Sequence, residues 1–396
     1  MRLRASVIAI AVLSPLSAFA QTPAPAAAPA PAAEAAPAPA PAAATPVVVA
    51  PAVPAAAAAP AAPPAKTWKD LVTLEGLVDS YYQYNLSGAN SLQGPAFRNF
   101  DTYSNTFTLN YAKVAVGMSS DMAGFRIDMG YGTTAAIINS AVPPGEPATG
   151  PTAASAFLVQ QAFATLTPIT NLTIDFGKFV TTAGAEVIES NKNWLYSRSI
   201  LFFNIPLLHN GIRAGYKIND MVSVQASVVN GWNGQGLNPD INAAKTFGAN
   251  ASITLPMGVS ILPTIYVGRE FPGGKIRFLG DLVAAYTMGK LGLNLNFDYV
   301  TDATDGQPKP FIGVAAMGHY AITDAVNATL RGEWASTKPA GTDVSVKQYE
   351  ITAGVAFPFS GHYELRPEFR WDGSGDAIYN GKKNQETLTL AALGYF

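Results

Sequence analysis

The segment HYELRPEFRWD (362–372) decides how this chain folds. Every second residue is charged or histidine: His362, Glu364, Arg366, Glu368, Arg370 and Asp372. Between them stand Tyr363, Leu365, Pro367, Phe369 and Trp371. A period of two belongs to extended backbone, where successive side chains point to opposite faces. One face of this strand is therefore wholly ionisable and the other wholly apolar. Burying such a row in a dry core would cost several kcal/mol per ion, even with the charges paired. Turned toward a water-filled lumen, the same row costs little. The apolar row then meets lipid, and the segment reads as one stave of a transmembrane β-barrel.

The pattern recurs along the chain. VTLEGLVDSYYQYN sets Val72, Leu74, Val78, Tyr82 and Tyr84 against Thr73, Glu75, Asp79, Gln83 and Asn85. FRIDMG opposes Phe125, Ile127 and Met129 to Arg126 and Asp128. GIRAGYKI, KLGLNLNFDYV and AVNATLRGEW behave alike, with Arg213 and Lys217, Asn294, Asn296 and Asp298, and Arg331 and Glu333 on their polar faces. Short turns fall at 119–123, 167–171, 219–221, 255–258, 288–290, 322–325 and 358–361, and longer loops lie between them. Counting between these breaks predicts sixteen strands, starting near 71, 105, 124, 156, 171, 211, 222, 244, 258, 277, 290, 311, 325, 345, 361 and 385. Short turns at one end and long loops at the other mark an antiparallel barrel of the outer-membrane type. An even count puts both ends of the barrel on the short-turn, periplasmic side. Hydrocarbon tolerates no open strand edge, so the first and last strands must pair. Sixteen strands enclose an aqueous channel, whereas eight fill their interior with side chains.

Composition agrees. The 396 residues are 48% hydrophobic and only 13% charged, about half the usual charged share. A net charge of -2 offers no electrostatic footprint for nucleic acid. With no cysteine, disulfides, thiol catalysis and thiolate metal sites are excluded. Residues 1–20 read as a signal peptide: basic MRLR, a short apolar run, then Ala18 and Ala20 at an A-x-A cleavage site. Residues 21–65 are almost all Ala and Pro, too Pro-rich for a helix and unable to build a core. They read as a disordered, semi-rigid spacer of roughly 140 Å if fully extended. Residues 66–396 remain for the barrel.

The run LTIDFGKFVTTAGAEVIESNKNWLYSRSILFFNIPLLHNGIRAGYKINDMVSVQASVVNGWN resembles the OmpL-like β-barrel porins of bacterial outer membranes. DFGKF (175–179), GAEVIES (184–190), NWLYSRS (193–199), the spaced His209, Gly211 and Arg213, and NGWN (230–233) carry the resemblance. The opening LEGLVDSYYQYN, FRIDMGYG and the closing QETLTLAALGYF fit it as well. The resemblance implies an outer-membrane channel for small solutes, with no cofactor. Phe396 resembles the terminal aromatic read by the barrel-assembly machinery, although Gly394 stands where many such signals carry an aromatic. By analogy with other sixteen-stranded diffusion porins, a homotrimer is expected.

In diffusion porins one long loop folds into the barrel and narrows it. The longest constrained connection here is 180–210, with Glu186, Glu189, Lys192, Arg198 and His209. Its apolar residues, among them Trp194, Leu195 and 200–203, suit packing inside the barrel. Glu186 and Glu189 are expected to face basic wall groups such as Arg126, Arg213, Arg331, Arg366 and Arg370, with Glu364 and Glu368 beside them. A transverse field of this kind orients dipolar solutes. The alternative is that these charges only solvate a wide lumen. Lys178 breaks the pattern, because it shares the parity of outward Ile174 and Phe176. Either Gly177 marks a bulge, or Lys178 lies above the lipid band.

Catalysis has little support in the sequence. A hydrolase would need a nucleophile or water beside a His held by a third group. Of the three histidines, His319 and His362 lie near periplasmic turns, away from the outer rim, and His209 sits in the long loop. No run of His, Asp or Glu has metal-ligand spacing. Besides general diffusion, two readings stay open: a substrate-specific channel, and a structural barrel tethered to the wall by its Ala/Pro arm.

Overall fold

The computed structural model describes residues 71–88, 94–140, 155–233, 242–270, 276–301, 310–338 and 345–396. The expected signal peptide and Ala/Pro spacer lie outside these residues. The described residues belong to one compact unit, Pro64–Phe396.

They form sixteen antiparallel strands closed into a barrel. In chain order these are β1 (Val72–Asn85), β2 (Phe107–Ser119), β3 (Ala123–Tyr131), β4 (Phe157–Ile169), β5 (Leu172–Val180), β6 (Leu208–Lys217), β7 (Val222–Val229) and β8 (Thr246–Leu255). Then follow β9 (Val259–Arg269), β10 (Ile276–Met288), β11 (Leu291–Thr301), β12 (Phe311–Thr323), β13 (Val326–Thr337), β14 (Val346–Phe359), β15 (Tyr363–Ser374) and β16 (Asn384–Tyr395). Each strand pairs with its sequence neighbours, and β1 closes on β16 with Asp79 opposite Leu393. The ladder runs to the last residue: Phe396 and Gly76 exchange backbone N–H···O bonds of 3.1 Å each. Gly76 leaves room for the Phe396 ring, which a Cβ would meet at 2.3 Å unless the ring swung aside.

The parity of side chains follows the sequence. Leu293, Leu330, Ile351 and Leu365 point outward and are exposed, while Asp298 and Arg331, with opposite parity, are fully buried. Among the described residues the register slips in four places, two beside short turns in the β4–β5 and β12–β13 ladders and two within the wall. The β1–β2 register slips between Asp79 and Ser80, turning both Asn110 and Tyr111 inward. The β3–β4 register slips between Asp128 and Met129, doing the same for Gln160 and Gln161. Each slip within the wall is a bulge that leaves two residues opposite one and so resets which residues face in.

All connections at the end where β1 begins and β16 finishes are short, and the longer ones lie at the other end. At one short turn Lys217 donates to Asp220 at 2.6 Å, which holds that exposed carboxyl below its ordinary range. At the long-loop end Phe97 packs edge-on against Tyr379, whose burial pushes the phenol up to about 12. Helix α1 (Thr133–Ser140) lies in the connection from β3 to β4. The connection from β5 to β6, residues 181–207, contains the single turn α2 (Ile200–Phe203).

Candidate functional site

Residues 181–207 run along the inner wall rather than over the rim. Their apolar residues Ile188, Ile200, Leu201, Phe202 and Ile205 are buried and cluster with inward Leu77, Tyr111 and Phe311. Glycines in the wall make room for this contact. A Cβ on Gly313 would come within 2.8 Å of Leu201, one on Gly354 within 2.6 Å of Leu195, and one on Gly292 within 2.8 Å of Trp194. Trp194 also stacks on inward His319 at 5.0 Å.

The charged row quoted at the outset faces inward, as its parity requires. It does not meet lumen water there. Glu364, Arg366, Glu368, Arg370 and Asp372 are all buried; the loop lies over Arg366, Glu368 and Arg370, and Arg98 reaches Asp372. Arg366 donates to the carbonyls of Ser190 at 3.0 Å and Leu195 at 3.1 Å, and Arg370 donates to the carbonyl of Arg198 at 2.6 Å. Glu368 accepts the amides of Tyr196 at 2.7 Å and Ser197 at 3.1 Å. On β13, Glu333 accepts the amide of Ile200 at 2.8 Å, and Arg331 donates to the Ser197 carbonyl at 2.8 Å. At the loop's root Asp281 accepts the amide of Gly184 at 3.1 Å, and the Asn296 side chain accepts that of Ala185 at 3.2 Å. Wall acids thus bind loop N–H groups, and wall arginines bind loop C=O groups. This satisfies a backbone that would otherwise be buried without partners. Charge-assisted hydrogen bonds are the strong ones, so the loop is held rigidly along much of its length.

Both loop acids meet a wall base. Glu186 pairs with Arg331 at 2.9 Å. Glu189 pairs with Lys113, a base outside the expected set, and accepts from Gln160 at 2.9 Å. Arg198 braces the loop from within, donating to the Val187 carbonyl at 3.0 Å and lying 5.4 Å from the Phe100 ring. His209 belongs to β6 rather than to the loop, and lies buried against Tyr266 at 4.7 Å. Arg213 pairs with Asp175 at 2.8 Å and covers the Phe179 ring at 4.5 Å.

The charges left accessible to the lumen form a small group. Lys192, 57% exposed, lies 3.5 Å from Glu75, which is 38% exposed. Arg126 bonds Glu75 at 3.0 Å and Asp128 at 2.7 Å. A cavity of about 230 Å³ opens beside Glu75, Lys113, Glu189 and Lys192. Further round the wall, the inward residues left at least partly open are mostly neutral: Thr165, Thr173, Gln225, Asn250 and Ser252. Lys192, Arg126 and Glu75 are the lumen's grouped accessible charges among the described residues, beside the partly covered Arg213–Asp175 pair.

Sequence reading missed Lys113, Asp281, Arg98 and Asp101 as partners in this network. Arg98 pairs with Asp101 at 2.9 Å and reaches Asp372 at 3.5 Å, so part of the first long loop also turns inward. Asp281 was hidden by its apolar same-face neighbours Leu279 and Val283, which blur the alternation. Lys113 follows a bulge that the sequence does not announce. The one readable signal was glycine at inward positions of three strands, where a barrel wall facing open water has no need of it.

The family model described as "Putative beta-barrel porin-2, OmpL-like" matches residues 71–396. Among solved structures, OmpF of Salmonella typhi in complex with daunomycin superposes with TM-score 0.57 at 12% identity, covering 82% of this chain and 97% of that one. An anion-selective porin from Comamonas acidovorans gives TM-score 0.56 at 12% identity, with 82% and 99% covered. The trimer form of OmpT from Vibrio cholerae gives 0.52 at 11% identity, with 82% and 99% covered. At these identities the likeness is one of fold. No curated protein matches the chain.

Proposed function

We propose, on the premise that this chain belongs to the OmpL-like β-barrel porin-2 family, that it passes small hydrophilic solutes and ions passively across the outer membrane. The observation that carries this reading is the inner loop. It is bonded to the wall through its own backbone, with Lys192 reaching into the lumen to meet Glu75, which also binds Arg126. A loop held in this way narrows the path without blocking it, and needs no energy source to open. Lys192, Glu75 and Arg126 act as the constriction charges, with the Arg213–Asp175 pair lining the wall. Glu186, Glu189, Arg198, Arg331, Glu364, Arg366, Glu368 and Arg370 hold the loop in place. No enzymatic step is assigned.

Residues 1–20 direct export, and 21–65 serve as a periplasmic spacer. Phe396, laid over Gly76, offers the assembly machinery a terminal aromatic. The trimer form of a structural relative supports a homotrimer. Single-channel recording in planar bilayers tests the central reading. An ohmic conductance unaffected by sugars or amino acids is expected. Block by one solute would make the channel substrate-specific. A folded, silent barrel would leave only a structural role, which deletion of 21–65 would probe through envelope integrity.

A further inference from the structure

We infer that Lys178 and Asn210 form a binding site for the phosphate of an anionic lipid on the outer wall of the barrel. The β4–β5 ladder passes through Gly177 without a slip, with Phe163 opposite Gly177 and Ala162 opposite Lys178. Gly177 is therefore not a bulge, and Lys178 keeps the outward parity of Ile174 and Phe176. Asn210 on β6 stands directly opposite Lys178 and also points outward. Opposed side chains in a ladder lie within reach of a shared ligand. Both residues are half-buried. Neither side chain has a hydrogen bond or ion pair among the described residues, whereas Arg213, Arg331 and Arg366 on the inner face are all paired.

Position and surroundings point to lipid. Lys178 is the seventh residue of β5, counting from Leu172 at the short turn. At about 3.3 Å per residue and a tilt near 40°, it stands roughly 15 Å above that rim, inside an apolar band about 25 Å tall. The strand ends two residues further on, at Val180. A lysine stem can therefore follow the short wall upward and bring its ammonium to the headgroup layer. An ionisable residue on a lipid face calls for a named partner. A second copy of this chain is poorly equipped to supply one from its wall. Among the described strand residues, the outward acid is Glu386, whose carboxylate already accepts from the Ser87 hydroxyl and the Asn384 amide. A lipid phosphate fits better: the ammonium supplies charge and the amide supplies a second donor, beside the small Ala162 and Ala164.

The test is native mass spectrometry of the full chain after incubation with phosphatidylglycerol or phosphatidylcholine. Wild type should retain phosphatidylglycerol preferentially. Lys178→Met, which suits the lipid face and so preserves folding, should weaken that retention about fivefold, the effect of one basic residue near an anionic surface. Lys178→Arg should keep it, and Asn210→Leu should reduce it in part. Equal retention by wild type and Lys178→Met would overturn the site. So would a change of oligomeric state in Lys178→Met with lipid retention unchanged, since the partner would then be a second copy. Neither readout depends on current through the pore.

Discussion

Replacing Arg331 by methionine should free the middle of the inner loop. Arg331 is fully buried and donates to Glu186 at 2.9 Å and to the Ser197 carbonyl at 2.8 Å. Hydrogen bonds to charged groups are worth about 1.5–3 kcal/mol each, so these two amount to about 3–6 kcal/mol. The substitution also leaves Glu186, Glu333 and Glu350 facing one another without the guanidinium that separates them. Breaking a buried pair from one side costs about 3–5 kcal/mol. A shift of about 4 kcal/mol changes the ratio of released to held loop by roughly a thousandfold. Arg366, Arg370 and Glu368 still hold residues between 190 and 198, so the stretch around 186–199 should loosen without leaving the wall. Two measurements read it. Trypsin should cleave at Lys192 or Arg198 in folded barrels of the variant and not in wild type, and single-channel conductance should rise with added noise. Adding Glu186→Gln should restore part of the loss, because it removes one stranded charge, with a coupling of about 1–3 kcal/mol. Wild-type cleavage and conductance in Arg331→Met would refute the view that side-chain clamps, rather than apolar packing, keep the loop in place.

Other outcomes follow from the same geometry. Lys192→Glu should move the reversal potential in a salt gradient toward cation preference, while an exposed pair changes stability by no more than about 1 kcal/mol; an unmoved potential would remove Lys192 from the constriction. Gly354→Leu would drive a side chain into Leu195, costing about 1–3 kcal/mol by overpacking, and should raise open-channel noise without unfolding the barrel. On the lipid face, Ile351→Lys should destabilise the barrel in vesicles by about 2–4 kcal/mol. Ser252→Lys, on the inward and exposed side of β8, should leave the barrel's unfolding midpoint in urea unchanged, whereas Ile351→Lys lowers it.

Much of the wall was legible before any coordinates. Predicted starts at 124, 222, 311 and 385 fall within one residue of Ala123, Val222, Phe311 and Asn384. The largest difference is at β6, expected near 211 and observed from Leu208. Its first residues are buried on both faces, Leu208 opposite Val180 and His209 opposite Phe179, so they show no alternation. Inward parity was also correct for Arg126, Arg213, Arg331, Glu364, Arg366, Glu368 and Arg370, because direction along an extended strand is set residue by residue.

The sequence by itself determined what faces in and what faces out, since pleating is a local property of backbone and lipid accepts only the apolar side. Only the tertiary structure decided which inward groups stay wet. That depends on contacts such as Glu333 with Ile200 and Arg366 with Leu195, made between residues far apart in the chain. A row of charges looks the same in sequence whether water or a peptide backbone completes its hydrogen bonds. Here a loop from between β5 and β6 supplies the partners, and the charges that first suggested an open lumen serve to fasten what narrows it.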